Sequence, residues 1–323
     1  MISHPVALTS GEPSGIGPEL TLKAWAELGT DLPFFWIGDP AHLPKNSPVS
    51  LISDPSQTAE AATSGIPVLP HEFASPANPG QPSPLNAQGV IDVIARAVEL
   101  ATTGRASAVC TNPIHKKALK DGANFAYPGH TEYLAALAGV NRVVMLLASE
   151  KLRVVPTTIH IPLADIPARL TADLLKDTIR ITNAALKRDF GIPKPRLAIA
   201  GLNPHAGEAG AMGFEEINLI TPVLDQLRNE GYELAGPLSA DTMFHSSARA
   251  RYDAAICMYH DQALIPIKTL DFDSGVNVTL GLPFVRTSPD HGTAFDIAGK
   301  DIASAGSLIA ALRMADQMAR ARG

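Results

Sequence analysis

Three histidines occupy the same kind of position in the sequence, at or just beyond the end of an apolar segment. His160 ends the segment RVVPTTIH, His205 follows RLAIAGLNP, and His260 follows AAICMY. Ligands of open α/β sheets bind at the carboxyl ends of the strands, so these three side chains can converge on one crevice. Three imidazoles suit Zn²⁺ or Co²⁺ better than Mg²⁺ and leave a position open for a substrate oxygen. For each histidine alone, a hydrogen-bonded residue at a strand end is the competing interpretation.

Two acidic residues near these histidines in the sequence are candidate catalytic residues. Asp261 directly follows His260, and Asp241 lies in the segment GPLSADTMF. A carboxylate in either place can orient an imidazole or relay a proton during catalysis. For Asp241 alone, an acid at a helix N-cap or in a turn is the competing interpretation. We therefore treat both as candidate catalytic residues and leave the choice between them open.

A second group of residues has the chemistry of anion recognition. His130 and Thr131 stand in YPGHTEYLA at a predicted helix start, where exposed backbone amides can bind an oxyanion. Lys268, Asn277 and Arg286 follow in PIKTL, GVNVTL and FVRTSP. Together these side chains would suit a phosphate or a carboxylate. Taken singly, Lys268 and Arg286 are also typical of solvated charges at strand ends.

A glycine-rich loop follows the first predicted strand. In GEPSGIGPEL, Gly11, Gly15 and Gly17 allow positive φ and close backbone approach, and Pro18 suits a first helical turn. Such a loop can present N–H groups to a phosphate or a cofactor, or form a plain tight turn. Its spacing differs from the GxGxxG of a Rossmann unit, although Asp39 imitates the acid that binds ribose there.

The elements that must position these residues alternate along the chain. Strands are predicted at 5–9, 33–37, 106–111, 142–148, 153–160, 196–201 and 253–259, and helices at 87–103, 171–190, 214–230 and 304–322. Continuous Val, Ile, Leu and Ala runs are typical of a mostly parallel sheet that is covered on both faces. The predicted fold class is therefore α/β. The Pro-rich stretch 70–86 is predicted to be a long surface loop.

Composition narrows the classes of function. The chain has 323 residues, of which 46% are hydrophobic and 18% are charged, so we expect a folded protein with one large or two ordinary domains. Its net charge is -6 and no run of Lys or Arg stands out, which argues against nucleic acid or an anionic membrane as the main partner.

The N-terminus and the cysteines bear on location. MISHPVALTS lacks a basic start followed by a long apolar core, so we expect no signal peptide. No apolar stretch reaches the roughly 20 residues that a membrane span needs. Cys110 and Cys257 both lie in apolar runs, which fits a reducing compartment and predicts a cytoplasmic protein.

Seven motifs occur in a fixed order between residue 9 and residue 300: GEPSGIGPEL, TNPIHKKAL, YPGHTEYLA, GLNPHAGE, GPLSADTMF, YHDQALIPIK and GVNVTLGLPFVRTSPDHGTAFDIAGK. In this combination the chain resembles the 4-hydroxythreonine-4-phosphate dehydrogenase family of pyridoxal phosphate biosynthesis. SGIGPE and HGTAFDIAGK are also similar to the GDGIGPE and HGSAPDIAGK loops of isocitrate and isopropylmalate dehydrogenases. Two features depart from the family pattern, Asn112 in place of a smaller residue and the Pro-rich stretch 70–86.

The resemblance implies an architecture. It is a two-domain α/β/α fold like that of isocitrate and isopropylmalate dehydrogenases, with an interdomain cleft, rather than a standard Rossmann domain. Residues 1–127 and 284–323 would form a cofactor-side domain, and residues 128–283 would form the domain for metal, substrate and dimerisation. The family is a homodimer whose active site takes residues from both subunits.

The resemblance also implies a reaction and its residues. NAD⁺ or NADP⁺ would oxidise the C3 hydroxyl of 4-phosphooxy-L-threonine, and decarboxylation would give 3-amino-2-oxopropyl phosphate. One divalent ion (Zn, Co or Mg) would be held by His160, His205 and His260. Substrate would be bound by His130, Thr131, Lys268, Asn277 and Arg286. The cofactor would be bound by Gly15, Gly17, His291, Gly292 and Asp296, with Asp296 accepting from ribose hydroxyls.

Three other functions fit parts of the pattern. One is a dehydrogenase of a related phosphorylated acid, such as 4-phosphoerythronate or 4-phosphothreonate. Another is a metal-dependent hydrolase that uses the three histidines on a bound water. A third is a two-lobed solute-binding protein, which the expected lack of a signal peptide disfavours.

Overall fold

The computed structural model describes residues 4–323, so the first three residues of the N-terminal segment lie outside the described part. The chain divides into two compact units, Met1–Val143 with Leu282–Gly323, and Val144–Gly281. The first division follows Val143 rather than residue 127, because Tyr133 and Leu134 pack with Phe125 in the core of unit 1. His130 and Thr131 consequently belong to unit 1, not to the predicted 128–283 domain.

Twelve strands are formed by the described residues. They are β1 Val6–Thr9, β2 Phe34–Gly38, β3 Val49–Leu51, β4 Ile66–Pro70, β5 Ala108–Thr111, β6 Val144–Ala148, β7 Arg153–Pro156, β8 Arg196–Ala200, β9 Glu233–Leu238, β10 Ala254–Cys257, β11 Val276–Leu280 and β12 Arg286–Pro289. All seven predicted strands are present, although β7 ends before His160 instead of including it. Strands β3, β4, β9, β11 and β12 were not predicted.

Residues 4–323 also form eleven α-helices. They are α1 Gly17–Leu28, α2 Thr58–Ala61, α3 Ala87–Thr102, α4 Lys116–Ala123, α5 His130–Leu137, α6 Ile166–Arg169, α7 Ala172–Asp189, α8 Thr221–Asn229, α9 Ser246–Arg249, α10 His260–Leu270 and α11 Gly306–Arg322. The helix predicted at 214–230 begins as a π-helical turn, Glu216–Ile220, before it continues as α8. None of the helices in residues 4–323 combines the length and the apolar character needed to cross a membrane.

Unit 1 is built on six parallel strands in the order β3-β4-β2-β1-β5-β12. Strands β1, β2 and β5 are buried along their length, as expected where both faces of a sheet are covered, whereas β3 at the edge is partly exposed. Helix α3 turns Val90, Ile94 and Ala97 toward a core that includes Phe35. This 3.6-residue periodicity is the pattern that predicted the helix.

Unit 2 has the strand order β11-β6-β7-β10-β8-β9. Strands β7, β10, β8 and β9 run parallel to one another, whereas β11 pairs with β6 and β6 pairs with β7 in antiparallel fashion. The prediction of a mostly parallel sheet therefore holds throughout unit 1 and only in part of unit 2. The core of unit 2 packs Val154 and Ala255 against Ile267 of α10. The α/β fold class is confirmed.

Candidate functional site

The three candidate metal ligands follow three neighbouring strands of unit 2. His160 comes after β7, His260 after β10 and His205 after β8, and these strands lie side by side in the order β7-β10-β8. Because the three strands are parallel, the three histidines leave the sheet at the same edge. The three histidines therefore follow the carboxyl ends of neighbouring strands in unit 2, as the sequence predicted.

His160 and His260 are brought together. Their ring centroids are 5.6 Å apart, and both side chains line a cavity of about 180 Å³ together with Thr158 and Tyr259. The Nδ1 atom of His260 lies 2.7 Å from a carboxylate oxygen of Asp261. Because that oxygen only accepts, Nδ1 carries the proton, and the Nε2 lone pair is left for a ligand.

His205 does not join this pair within one chain. Among residues 4–323, no group of three or more His, Cys, Asp or Glu side chains is arranged to hold a metal ion. Asp241 lies close enough to His205 for the two side chains to interact electrostatically. The hydroxyl of Ser239 lowers the pKa of that carboxyl, and the charged form of His205 lowers it further. Asp241 is exposed and ionised near neutral pH, so it is suited to accepting a proton or a hydrogen bond rather than to donating one.

The turn that carries His205 has a rare backbone conformation. Its five residues, 205–209, all have positive φ, with values between 42° and 81°, and only Gly207 among them is a glycine. Left-handed backbone costs roughly 1–2 kcal/mol for each L-residue other than glycine. His160 also has a positive φ, of 51°. Such strain persists only where surrounding contacts impose it, and it concentrates at functional sites.

Arg286 and His130 form the core of a polar cluster in unit 1. Arg286 begins β12, is 3% exposed, and donates from Nη2 to the hydroxyl of Thr111 at 2.6 Å. Burial lowers the pKa of Arg286 to about 10, so the guanidinium remains charged at neutral pH. Burial, followed by the charges of Arg286 and Lys116, holds the pKa of His130 well below its usual value. The buried Nε2 atom of His130 has no hydrogen-bond partner among the described residues.

The remaining substrate candidates are spread over both units. Thr131 follows His130 on α5 of unit 1, while Lys268 and Asn277 belong to unit 2. The Lys268 amine lies 5.8 Å from the ring centroid of Phe272 and lines a shallow groove of about 420 Å³ that also contacts His260. Asn277 is half-buried on β11, and its buried Oδ1 atom has no partner among the described residues.

The glycine loop packs against the loop that contains the other cofactor candidates. The Ile16 amide donates to the Thr293 carbonyl at 3.0 Å, and the Gly299 amide donates to Glu19 at 2.9 Å. A Cβ atom on Gly15 would lie 2.9 Å from that same Thr293 carbonyl. Of the three loop glycines only Gly11 has a positive φ, so Gly15 and Gly17 serve close approach instead, which corrects the prediction.

The loop 291–299 presents polar groups with few partners. The buried Nε2 atom of His291 has no hydrogen-bond partner among the described residues, and a Cβ atom on Gly292 would meet no other atom within 4 Å. Asp296 is exposed. One oxygen of the buried residue Glu19 is also without a partner in the described part of the chain.

The two departures from the family pattern both support the glycine loop. The side-chain amide of Asn112 donates to the Thr9 carbonyl at 3.0 Å and to the Thr21 hydroxyl at 3.1 Å, which joins β5 to the start of α1. From the Pro-rich stretch, the Gly80 amide donates to the Ser14 carbonyl at 2.8 Å. This stretch therefore lies against the glycine loop.

Asp39 has a structural role. Its carboxylate accepts a hydrogen bond from the Ala41 amide at 2.9 Å and so caps the short 3₁₀ helix Pro40–His42. This N-cap role accounts for an acidic residue directly after β2, and no role in binding a ribose is needed to explain it. The similarity to a Rossmann acid is therefore coincidental.

Comparison with known proteins places the chain in a family. A family model described as "Pyridoxal phosphate biosynthetic protein PdxA" matches residues 32–315. The chain belongs to the PdxA family. A PdxA relative from Roseobacter denitrificans, named 4-hydroxythreonine-4-phosphate dehydrogenase, is 62% identical over 316 residues, covering 98% of this chain and 97% of the relative. A relative of the same name from Ruegeria sp. is 60% identical over 317 residues, covering 98% and 97%.

A solved PdxA structure shares the fold. The crystal structure of 4-hydroxythreonine-4-phosphate dehydrogenase from Klebsiella pneumoniae is 37% identical to this chain and superposes with a TM-score of 0.89. The match covers 98% of this chain and all of the other. The family resemblance drawn from the seven motifs is thus confirmed.

Proposed function

We propose that this PdxA family chain is a 4-hydroxythreonine-4-phosphate dehydrogenase. It oxidises the C3 hydroxyl of 4-phosphooxy-L-threonine with a nicotinamide cofactor, and loss of CO₂ then gives 3-amino-2-oxopropyl phosphate. The observation that carries this proposal is near-complete coverage by relatives of that name at 60% and 62% identity. The chemistry of the residues at the strand ends supports it.

A divalent ion is held by His160, His260 and His205 in this proposal. The imidazoles of His160 and His260 fit such an ion, because their rings are 5.6 Å apart and Asp261 fixes the proton of His260 on Nδ1. Since His205 stands outside this pair in a single chain, we propose that a second copy of the chain supplies it. When bound, the ion supplies Lewis acidity and the nicotinamide supplies a hydride acceptor.

The surface of unit 2 supports a homodimer. Leu163, Phe214, Ile265 and Phe272 are large apolar side chains with exposures between 60% and 74%. Leu163 lines the cavity that contains His160, and Ile265 lines the groove beside His260. Exposed apolar side chains beside a cavity or groove are typical of a surface that another protein covers, and this supports the proposal. A second copy seated here would bring its own residues close to the histidine pair.

Recognition of the phosphorylated substrate is assigned in this proposal to the charged and polar candidate residues. Arg286 supplies a buried guanidinium, which suits the oxygen pairs of a phosphate or carboxylate, and Lys268 supplies a second positive charge. His130 is neutral near pH 7 and offers an unpartnered Nε2 atom. Thr131 and Asn277 add polar contacts in this assignment.

The nicotinamide cofactor, NAD or NADP, is assigned to unit 1. The glycine loop with Gly15 and Gly17 lies directly against the loop of His291, Gly292 and Asp296. The unpartnered Nε2 atom of His291 fits a polar ligand in this place. The exposed carboxylate of Asp296 is suited to accept hydrogen bonds from ribose hydroxyls.

A cytoplasmic location is proposed on the state of the cysteines. Cys110 and Cys257 are both free and buried, and burial raises the pKa of the Cys110 thiol to about 12. Free thiols of this kind are typical of proteins in reducing compartments.

A substrate panel tests the reaction. The purified chain, loaded with Zn²⁺ or Co²⁺, is assayed with 4-phosphooxy-L-threonine, 4-phosphoerythronate and 4-phosphothreonate, and reduction of NAD⁺ and NADP⁺ is followed by absorbance. We expect turnover and CO₂ release with 4-phosphooxy-L-threonine. Turnover of the amine-free acids alone would reassign the substrate. Product release without nicotinamide reduction would identify a hydrolase instead.

A further inference from the structure

The backbone of the His205 turn, residues 205–209, has a conformation that depends on contacts with surrounding residues. Successive residues other than glycine do not keep a left-handed conformation unless their surroundings impose it. In the turn at 205–209, four of five residues are of this kind. A specific set of contacts must therefore stabilise the turn, and the structure shows where they come from.

The carboxylate of Glu216 lies at the base of the turn. One oxygen accepts from the backbone amides of Leu202 at 2.7 Å and Asn203 at 2.8 Å, and the other accepts from the Asn203 side chain at 2.9 Å. Glu216 is 3% exposed. A Cβ atom on Gly207 would lie 2.6 Å from this carboxylate. A glycine at position 207 therefore allows the Glu216 carboxylate to approach the turn.

Further hydrogen bonds connect this turn to the other two histidine loops. Gln262 accepts from the Met258 amide at 2.7 Å and donates to the Gly201 carbonyl at 2.8 Å. The hydroxyl of Thr158 donates to the Met258 carbonyl at 2.7 Å. Thr158 is two residues before His160 and Met258 is two residues before His260. One continuous set of hydrogen bonds therefore runs behind all three candidate ligands.

We propose that Glu216 is a positioning residue that fixes the His205 turn in the conformation that presents a metal ligand. This inference rests on the proposed metal site. The two amides that Glu216 holds belong to Leu202 and Asn203, two and three residues before His205, so they fix the backbone from which the strained turn begins. The two oxygens of a carboxylate accept from all three donors, the Leu202 amide, the Asn203 amide and the Asn203 side chain. A glutamine at the same position has an NH₂ group in place of one oxygen, and this group would face one of the donors.

Glu216→Gln tests the proposal, and Glu215→Gln is the matched control. Glu215 is adjacent and also accepts from the Asn203 side chain, at 2.7 Å, but it accepts from neither of the Leu202 and Asn203 backbone amides that Glu216 holds. Zn²⁺ affinity of the full-length protein is measured by competition with a chromophoric chelator. Residues that orient metal ligands contribute roughly 10–100-fold to metal affinity, so we expect a loss of that size in Glu216→Gln and none in Glu215→Gln.

A second readout separates positioning from general stability. The visible spectrum of the Co²⁺-loaded protein reports the coordination of the ion, and we expect it to change in Glu216→Gln at temperatures where circular dichroism shows a folded chain. If Glu216→Gln does not fold, Asn203→Ala removes one of the three bonds, and we expect a smaller loss of affinity in the same direction. Wild-type affinity and spectrum in whichever variant folds would overturn the proposal.

His205→Ala distinguishes this inference from the metal site on which it rests. If His205→Ala binds Zn²⁺ as the wild-type chain does, the ligand assignment itself is wrong. If His205→Ala loses the ion but Glu216→Gln keeps it with full affinity, only the positioning role of Glu216 is refuted.

Discussion

Replacing Arg286 by methionine tests the assignment of the buried guanidinium to substrate binding. Arg286 is 3% exposed and its pKa, although lowered to about 10, leaves it charged at pH 7.5. A hydrogen bond to a charged group contributes roughly 1.5–3 kcal/mol. With tenfold for every 1.4 kcal/mol, Arg286→Met should lower kcat/KM for the phosphorylated substrate about 10–150-fold.

The assay is steady-state nicotinamide reduction, with Arg96→Met as the control. Arg96 is also partly buried in unit 1, but it donates to the Pro70 carbonyl at 2.7 Å and carries no assigned role in the site. We expect kcat/KM to be unchanged in Arg96→Met. Thermal unfolding followed by circular dichroism establishes that both variants are folded at the assay temperature.

The pKa of His130 gives a second, independent readout of Arg286→Met. The positive charge of Arg286 helps to lower the pKa of His130, so removing that charge should raise it toward the ordinary value of about 6.5. Titration of the imidazole by NMR measures this change. A folded Arg286→Met protein with wild-type kcat/KM and an unchanged His130 pKa would refute the reasoning.

Three further predictions concern other parts of the site. Asp261→Ala removes the acceptor that orients the adjacent imidazole and should weaken Zn²⁺ binding roughly 10–100-fold in a chelator competition; wild-type affinity would contradict this role. Gly80→Ala places a Cβ atom 3.0 Å from the Phe295 carbonyl and should raise the Kd for NAD measured by calorimetry. The control is Gly104→Ala, which has a similar positive φ and open space around it and should leave the Kd unchanged. Equal Kd values in the two variants would contradict a role of the Gly80 contact in NAD binding. The free energy of unfolding should fall as the pH drops below about 6.5, because the unfolded chain then takes up a proton at His130 that the folded chain, with its lowered pKa, does not. At pH 5.5 the free energy of unfolding should be lower by up to about 1.4 kcal/mol. Chemical denaturation should show that the free energy of unfolding of His130→Gln depends less on pH than that of the wild type. The same pH dependence in both proteins would contradict the lowered pKa of His130.

The fold was predictable where strands are continuous apolar runs. Strands such as β1, β5 and β10 are almost wholly apolar, and burial on both faces of a parallel sheet produces this composition. Strand β12 has the sequence RTSP and β9 contains a glycine and a proline, so neither carries a periodic or apolar signal. Their positions depend on neighbouring strands from distant parts of the chain, which local patterns do not contain.

The positions of the three histidines at strand ends were predictable, and the contacts that hold their loops were not. The sequence places three histidines at strand ends because strand ends can be recognised locally. The left-handed turn at His205 and the carboxylate of Glu216 beneath it could not be predicted, because positive φ at ordinary residues is set by surrounding contacts. Asn112 is a similar case, since its bonds to Thr9 and Thr21 join segments about a hundred residues apart.

Subunit complementation tests the metal site most directly. Chains with His205→Ala and chains with His160→Ala are co-expressed with different affinity tags, and the mixed dimer is isolated through both tags. If a second copy supplies His205, the mixed dimer has one intact site of two, and we expect about half of the wild-type Zn²⁺ content and activity, while each parent dimer has neither. The mixed dimer of His160→Ala with His260→Ala should stay inactive and metal-free. A His205→Ala/His160→Ala dimer that recovers neither metal nor activity would contradict the shared site.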